Sequence, residues 1–163
     1  MQLRSDQLET YVADLAELLE RYGVALIQPA PGEDIELLED GLGRISFELI
    51  GGLPDGRQPP LATLAVREEF ASAGEEAYRR SRYEFELIDR EREFRRAYHL
   101  HSSEWFEQTH LVVVHEHCET PIGDTRCAHY EGSPIRDGYQ GIVTLLTAWT
   151  GEAPDCSSLP CLE

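Results

Sequence analysis

The first apolar positions of the chain, Leu8, Tyr11, Val12, Leu15, Leu18 and Leu19, recur at helical spacing, and Gly23 stands where such a helix ends. Asp6 followed by Glu9 has capping-box spacing, with Ser5 a competing cap, so the pattern predicts a helix over about 6–22. The period then becomes two. Ile45, Phe47 and Leu49 alternate with Ser46 and Glu48, and strand-like runs follow one another at about 24–27, 45–50, 61–66, 82–89, 92–101, 109–118 and 127–130. Turn signals separate them, among them Pro29-Ala30-Pro31-Gly32, Gly51-Gly52 and Pro54-Asp55-Gly56. Two segments resist assignment. Residues 33–40 read equally as a helical turn or an edge strand, and 67–80 is helix-like in composition but interrupted by Gly74.

A two-residue turn at Arg90-Glu91 would set Leu87 opposite Phe94, Phe85 opposite Arg96, Tyr83 opposite Tyr98 and Glu86 opposite Arg95. Apolar side chains on one face and an opposite-charge pair on the other suit a half-buried hairpin. The run 109–118 is apolar on both faces, as a central strand requires. Ser133-Pro134 marks a helix start, and Tyr139, Ile142, Leu145, Leu146 and Trp149 form one helical stripe, predicting a helix over about 135–150 and a loop tail over 151–163. Residues 1–163 therefore read as a single α+β domain. About five of its strands form an antiparallel β-meander, with an N-terminal and a C-terminal helix packed on it.

Charge narrows the function. The chain carries 31 acidic and 14 basic residues, net −17, and every basic residue is an arginine. Such a surface repels phosphate backbones, so generic nucleic-acid binding is not expected. The lack of Lys and Asn points to a GC-rich coding sequence or a halophilic origin. Seven arginines fall within residues 79–96, where alternation of Glu and Arg reads as a solvated strand face with cross-strand pairing. No apolar run reaches the ~18–20 residues of a membrane span, and no signal peptide is visible, so the sequence reads as cytoplasmic with reduced thiols.

All six histidines and two of the four cysteines lie between His99 and His129. Three pairs stand out: His99 with His101, His115 with His117, and Cys127 with His129. Residues two apart on a strand share a face, so each pair offers two ligands to one ion, and imidazole with thiolate is the donor set zinc takes. A turn at 121–124 makes 115–129 a hairpin with two candidate registers. In one, Cys118 faces Cys127 and Glu116 faces His129, offering a thiolate site or a disulfide. In the other, His117 faces His129 and Glu119 faces Cys127, which assembles His115, His117, Cys127 and His129. The metal candidates are thus His115, His117, Cys118, Cys127 and His129, with zinc as the candidate ion. At ~3.3 Å per residue, His99 and His101 are expected more than ~10 Å from this group.

His117-Cys118-Glu119 matches the H-x-E of zinc deaminases, but Cys156 and Cys161 are spaced C-x4-C rather than C-x2-C, and Pro154 does not adjoin Cys156. Phosphate loops, HExxH and G-x-S-x-G are absent. The functional expectation is a small partner-binding or regulatory module, with a protein partner or a second copy of itself and a structural zinc pinning the hairpin. The alternative is a metal-dependent hydrolase with an open His/Cys site and Glu116 or Glu119 as general base.

Overall fold

The computed structural model describes residues 1–100, 114–129, 135–152 and 155–158, and the side chains of these except at 125–129 and 158. His101, the loop 102–108, the first half of the predicted strand 109–118, the start signal Ser133-Pro134, Pro154 and Cys161 lie outside the described residues.

Helix α1 spans Ser5–Arg21 and buries the predicted stripe, Leu8, Tyr11, Val12, Leu15 and Leu19. Its cap falls two residues earlier than Asp6 and Glu9 implied, because Gln7 Oε1 accepts the backbone N–H of Arg4 at 3.0 Å. The strands are β1 (Gln2–Arg4), β2 (Ala25–Gln28), β3 (Leu38–Glu39), β4 (Arg44–Leu53), β5 (Ala62–Ser72), β6 (Ala77–Asp89), β7 (Phe94–Leu100), β8 (Val114–Glu119) and β9 (Thr125–His129). Helix α2 spans Gly138–Thr150. Its start falls three residues after the predicted one, where the Asp137 carboxylate accepts the Gln140 N–H at 2.9 Å.

The strands form one antiparallel sheet in the order β2-β4-β5-β6-β7-β8-β9, with β1 added to β6 and β3 to β4. The fold is α+β as expected, and the meander is longer than the five strands predicted. The strands added at its sides are β1 and β3, and the open segment 67–80 is not helical but lengthens two strands. Arg67 to Ser72 extends β5, and Ala77 to Arg80 opens β6. Period-two alternation is hidden here because two inward positions carry charges, Glu68 and Arg80. They pair with each other: Arg80 Nη1 donates to Glu68 Oε1, and Tyr11 donates its hydroxyl to Glu68 Oε2 at 2.6 Å. Arg80 also donates to the Ile135 carbonyl, and the Gly138 N–H to the Tyr11 hydroxyl at 2.7 Å. One buried network therefore ties α1, β5, β6 and the start of α2 together.

The β6–β7 register also departs from expectation. Asp89 pairs with Phe94, Leu87 with Arg96, Phe85 with Tyr98 and Tyr83 with Leu100. Four residues turn rather than two, because the Asp89 carboxylate accepts both the backbone N–H of Arg92 at 2.9 Å and its Nε at 2.7 Å. The Arg92 guanidinium then reaches the carbonyls of Trp149 and Gly151 at the end of α2, where the helix dipole favours a cation. A shift of two residues keeps every side chain on its face. Arg95 still bonds Glu86 at 2.6 Å, diagonally instead of directly.

Both helices cover the same face of the sheet, over Phe47, Leu49, Leu64, Val66, Phe70, Tyr83, Phe85 and Leu87. Gly141 lets α2 approach, since a Cβ there would stand 2.6 Å from the Phe85 ring. Phe85 is fully buried and stacked on Tyr83 at 4.9 Å, so it cannot yield. Gly141→Ala should therefore destabilise the fold. Overpacking costs about 1–3 kcal/mol, and the gain in helix propensity of about 1 kcal/mol offsets only part of that. A urea midpoint at or above wild type would contradict this packing.

Candidate metal centre

The other face of the sheet holds charged and imidazole side chains, and the pairing registers stack them in rows. His99 on β7 pairs with His115 on β8, and His115 pairs with His129 on β9. In the adjacent row Ala97, His117 and Cys127 are opposite one another. Alternation along β8 sends His115 and His117 to the same side, so three imidazoles from two neighbouring strands converge.

The ligand nitrogens of His99, His115 and His117 all lie within 4.8 Å of one another. The Nε2 atoms of His115 and His117 are 3.0 Å apart, and ring centroids are 5.1 Å apart for His99 and His115 and 4.8 Å for the other two pairs. Nitrogens on a tetrahedral zinc are about 3.4 Å apart at ordinary bond lengths. The cluster is therefore within an ångström or so of the geometry of three ligands on one ion. His99 is 7% exposed, His115 0%, and His117 half-buried.

Part of this was expected and part was not. His115 and His117 come together as predicted. The β8–β9 register matches neither of the two expected ones: His117 pairs with Cys127 and Glu119 with Thr125, which is two residues from the second expectation and keeps its faces. Cys127 and His129 thus hold register positions beside the cluster. Cys118 does not join it. It is buried on the helix-facing side and forms a disulfide with Cys156, in the short 3-10 turn Cys156–Ser158 after α2. The expectation of reduced thiols is corrected for this pair.

The placement of His99 is the largest correction. It was expected more than ~10 Å away, on the assumption that only residues 102–108 join the two strands. Among the described residues Leu100 pairs with Val114, a register that sets His99 directly opposite His115. The signal was present as parity. Two H-x-H pairs on neighbouring strands share a face in any even register, whatever the loop.

The two candidate bases stand elsewhere. Glu116 lies on the helix-facing side and accepts from Arg96 Nη2 at 2.6 Å. Glu119 is on the histidine face, but its Oε1 accepts from Arg95 at 2.7 Å and its Oε2 from the Gly123 N–H at 2.8 Å. No helix among the described residues is long and apolar enough to cross a membrane. No protein-family model, curated protein or solved structure matches the chain.

Proposed function

We propose that the chain is a small partner-binding or regulatory module whose sheet is pinned by a structural zinc ion at His99, His115 and His117. The observation that carries this reading is the convergence of three imidazoles from β7 and β8, with all ligand atoms within 4.8 Å. The hydrolase reading names Glu116 or Glu119 as its base; Glu116 lies on the opposite face and Glu119 is held by Arg95 and the Gly123 N–H, which favours a structural ion over that hydrolase. For the partner, the support is the edge formed by β2 and β3, each paired on one side only among the described residues, where Ile27 and Leu38, and Leu42 in the turn after β3, are exposed. A protein strand or a second copy of this chain suits such an edge. A cytoplasmic setting is part of the proposal. Disulfides there are transient as a rule, so the oxidation state of Cys118 and Cys156 in freshly isolated protein tests the compartment.

Thermal melts test the metal. Zinc at about 100 times its dissociation constant should add about 2.7 kcal/mol, which for a domain of this size raises Tm by roughly 5–10 °C. His117→Ala should abolish the rise. An unchanged Tm for wild type with zinc, after removal of endogenous metal, would overturn the reading.

A further inference from the structure

Three histidines leave one position of a tetrahedral ion to be filled. The cross-strand row that contains His99 and His115 continues across the sheet through Glu84 on β6, Arg67 on β5 and Glu48 on β4. Arg67 Nη1 donates to Glu84 Oε1 at 2.6 Å, and Arg67 Nε donates to Glu48. The second oxygen of Glu84, Oε2, lies 4.0 Å from His99 Nε2.

The other carboxylates of this face are committed differently. Both oxygens of Glu119 are taken up by Arg95 and the Gly123 N–H. Glu86 has one oxygen on Arg95 at 2.6 Å and the other 3.6 Å from Arg67. Glu48 lies beyond Arg67 in the row. Glu84 is the carboxylate that Arg67 grips by one oxygen while the other lies near His99.

We propose that Glu84 is the fourth ligand, so that the centre is a closed three-histidine, one-carboxylate site for a zinc-type divalent ion, with Arg67 as its positioning residue. The inference rests on the metal reading above and deepens it. The ion then ties β6, β7 and β8 together, linking the middle of the sheet to its β9 edge, and the ligand set lies across three strands rather than in the 115–129 hairpin. Glu84 Oε2 is already 4.0 Å from His99 Nε2, and it must swing further toward His115 and His117 to reach the ~3.4 Å ligand spacing of a tetrahedral ion. Arg67 fixes which oxygen remains free to do so.

Cobalt(II) is the probe, titrated into full-length protein stripped of metal and followed by visible absorption. Wild type should give the intense bands of a four-coordinate ion. Glu84→Gln should weaken cobalt affinity by about 100-fold or more, since even outer-shell losses cost 10–100-fold, and should replace those bands with weak ones. Glu86→Gln should bind as wild type. Glu84→Cys guards against misfolding of the first variant: loaded with cobalt, it should show a thiolate charge-transfer band. Wild-type affinity and spectrum in Glu84→Gln, or a cobalt-loaded Glu84→Cys without that band, would overturn the role of Glu84 while His115→Ala still abolished binding. If wild type takes up neither cobalt nor zinc, the three-histidine reading itself falls, and Glu84 with it.

Discussion

Arg80→Met should lower the stability of the fold by about 3–5 kcal/mol, the cost of leaving one member of a buried ion pair without the other. The side chains of Arg80 and Glu68 are 4% and 0% exposed, and the guanidinium also lies 4.6 Å over the Tyr83 ring. The loss should depend on pH. Burial holds the Glu68 carboxyl above its ordinary value despite the attraction of Arg80, and removing the cation raises it further. A carboxyl raised in the folded state contributes its stability at low pH, below the unfolded value of 4.5, and loses it as pH rises through the folded value. The Arg80→Met deficit should therefore be smallest near pH 4 and grow toward neutrality. Tyr11, pushed far up by burial and by Glu68, stays protonated and continues to donate. Adding Glu68→Gln to Arg80→Met keeps an acceptor for Tyr11 and removes the buried charge, so it should restore part of the stability and flatten the pH dependence. Urea unfolding at pH 4.5 and 7.5 reads both effects. A deficit that is equal at the two pH values would show that the carboxyl is not the group left stranded.

Reducing the Cys118–Cys156 disulfide should cost up to about 4 kcal/mol, the chain-entropy value for a closed loop of 38 residues. On a domain this size that is a fall in Tm of roughly 8–16 °C. The bond joins the turn after α2 to β8 on the helix side of the sheet, so it holds the turn Cys156–Ser158 against the row that contains Arg96. Because Cys118 points away from the imidazoles, Cys118→Ala should lower Tm as reduction does and leave metal binding intact. Calorimetry with and without reductant, followed by a zinc titration of the variant, separates the two. Loss of metal binding in Cys118→Ala would put that sulfur back among the ligands.

The parts of this fold that were legible in the sequence are those where each position obeys one physical rule. The apolar stripe of α1 and the alternation of Ile45, Phe47 and Leu49 led directly to a helix and a strand. Alternation failed at Glu68 and Arg80, since two charges at inward positions make sense only as partners, and partnership across twelve residues cannot be read from periodicity. Hairpin register failed for a similar reason. The four-residue turn depends on Asp89 capturing Arg92 and on Arg92 reaching the end of α2, a contact 57 residues distant. At the metal centre the shared face of His115 and His117 followed from strand geometry. Recruitment of His99 depended on the β7–β8 register, which periodicity does not set, and Glu84 looked like any outward polar residue of an amphipathic strand until Arg67 and His99 were found on either side of it.

The measurement that bears most directly on the central claim is metal content, by elemental analysis of tag-free protein purified without chelator, beside His115→Ala prepared in the same way. The account predicts one equivalent of zinc or a similar transition ion per chain in wild type and almost none in the variant. A wild-type chain that holds no metal, and takes up none when zinc is supplied, would contradict it.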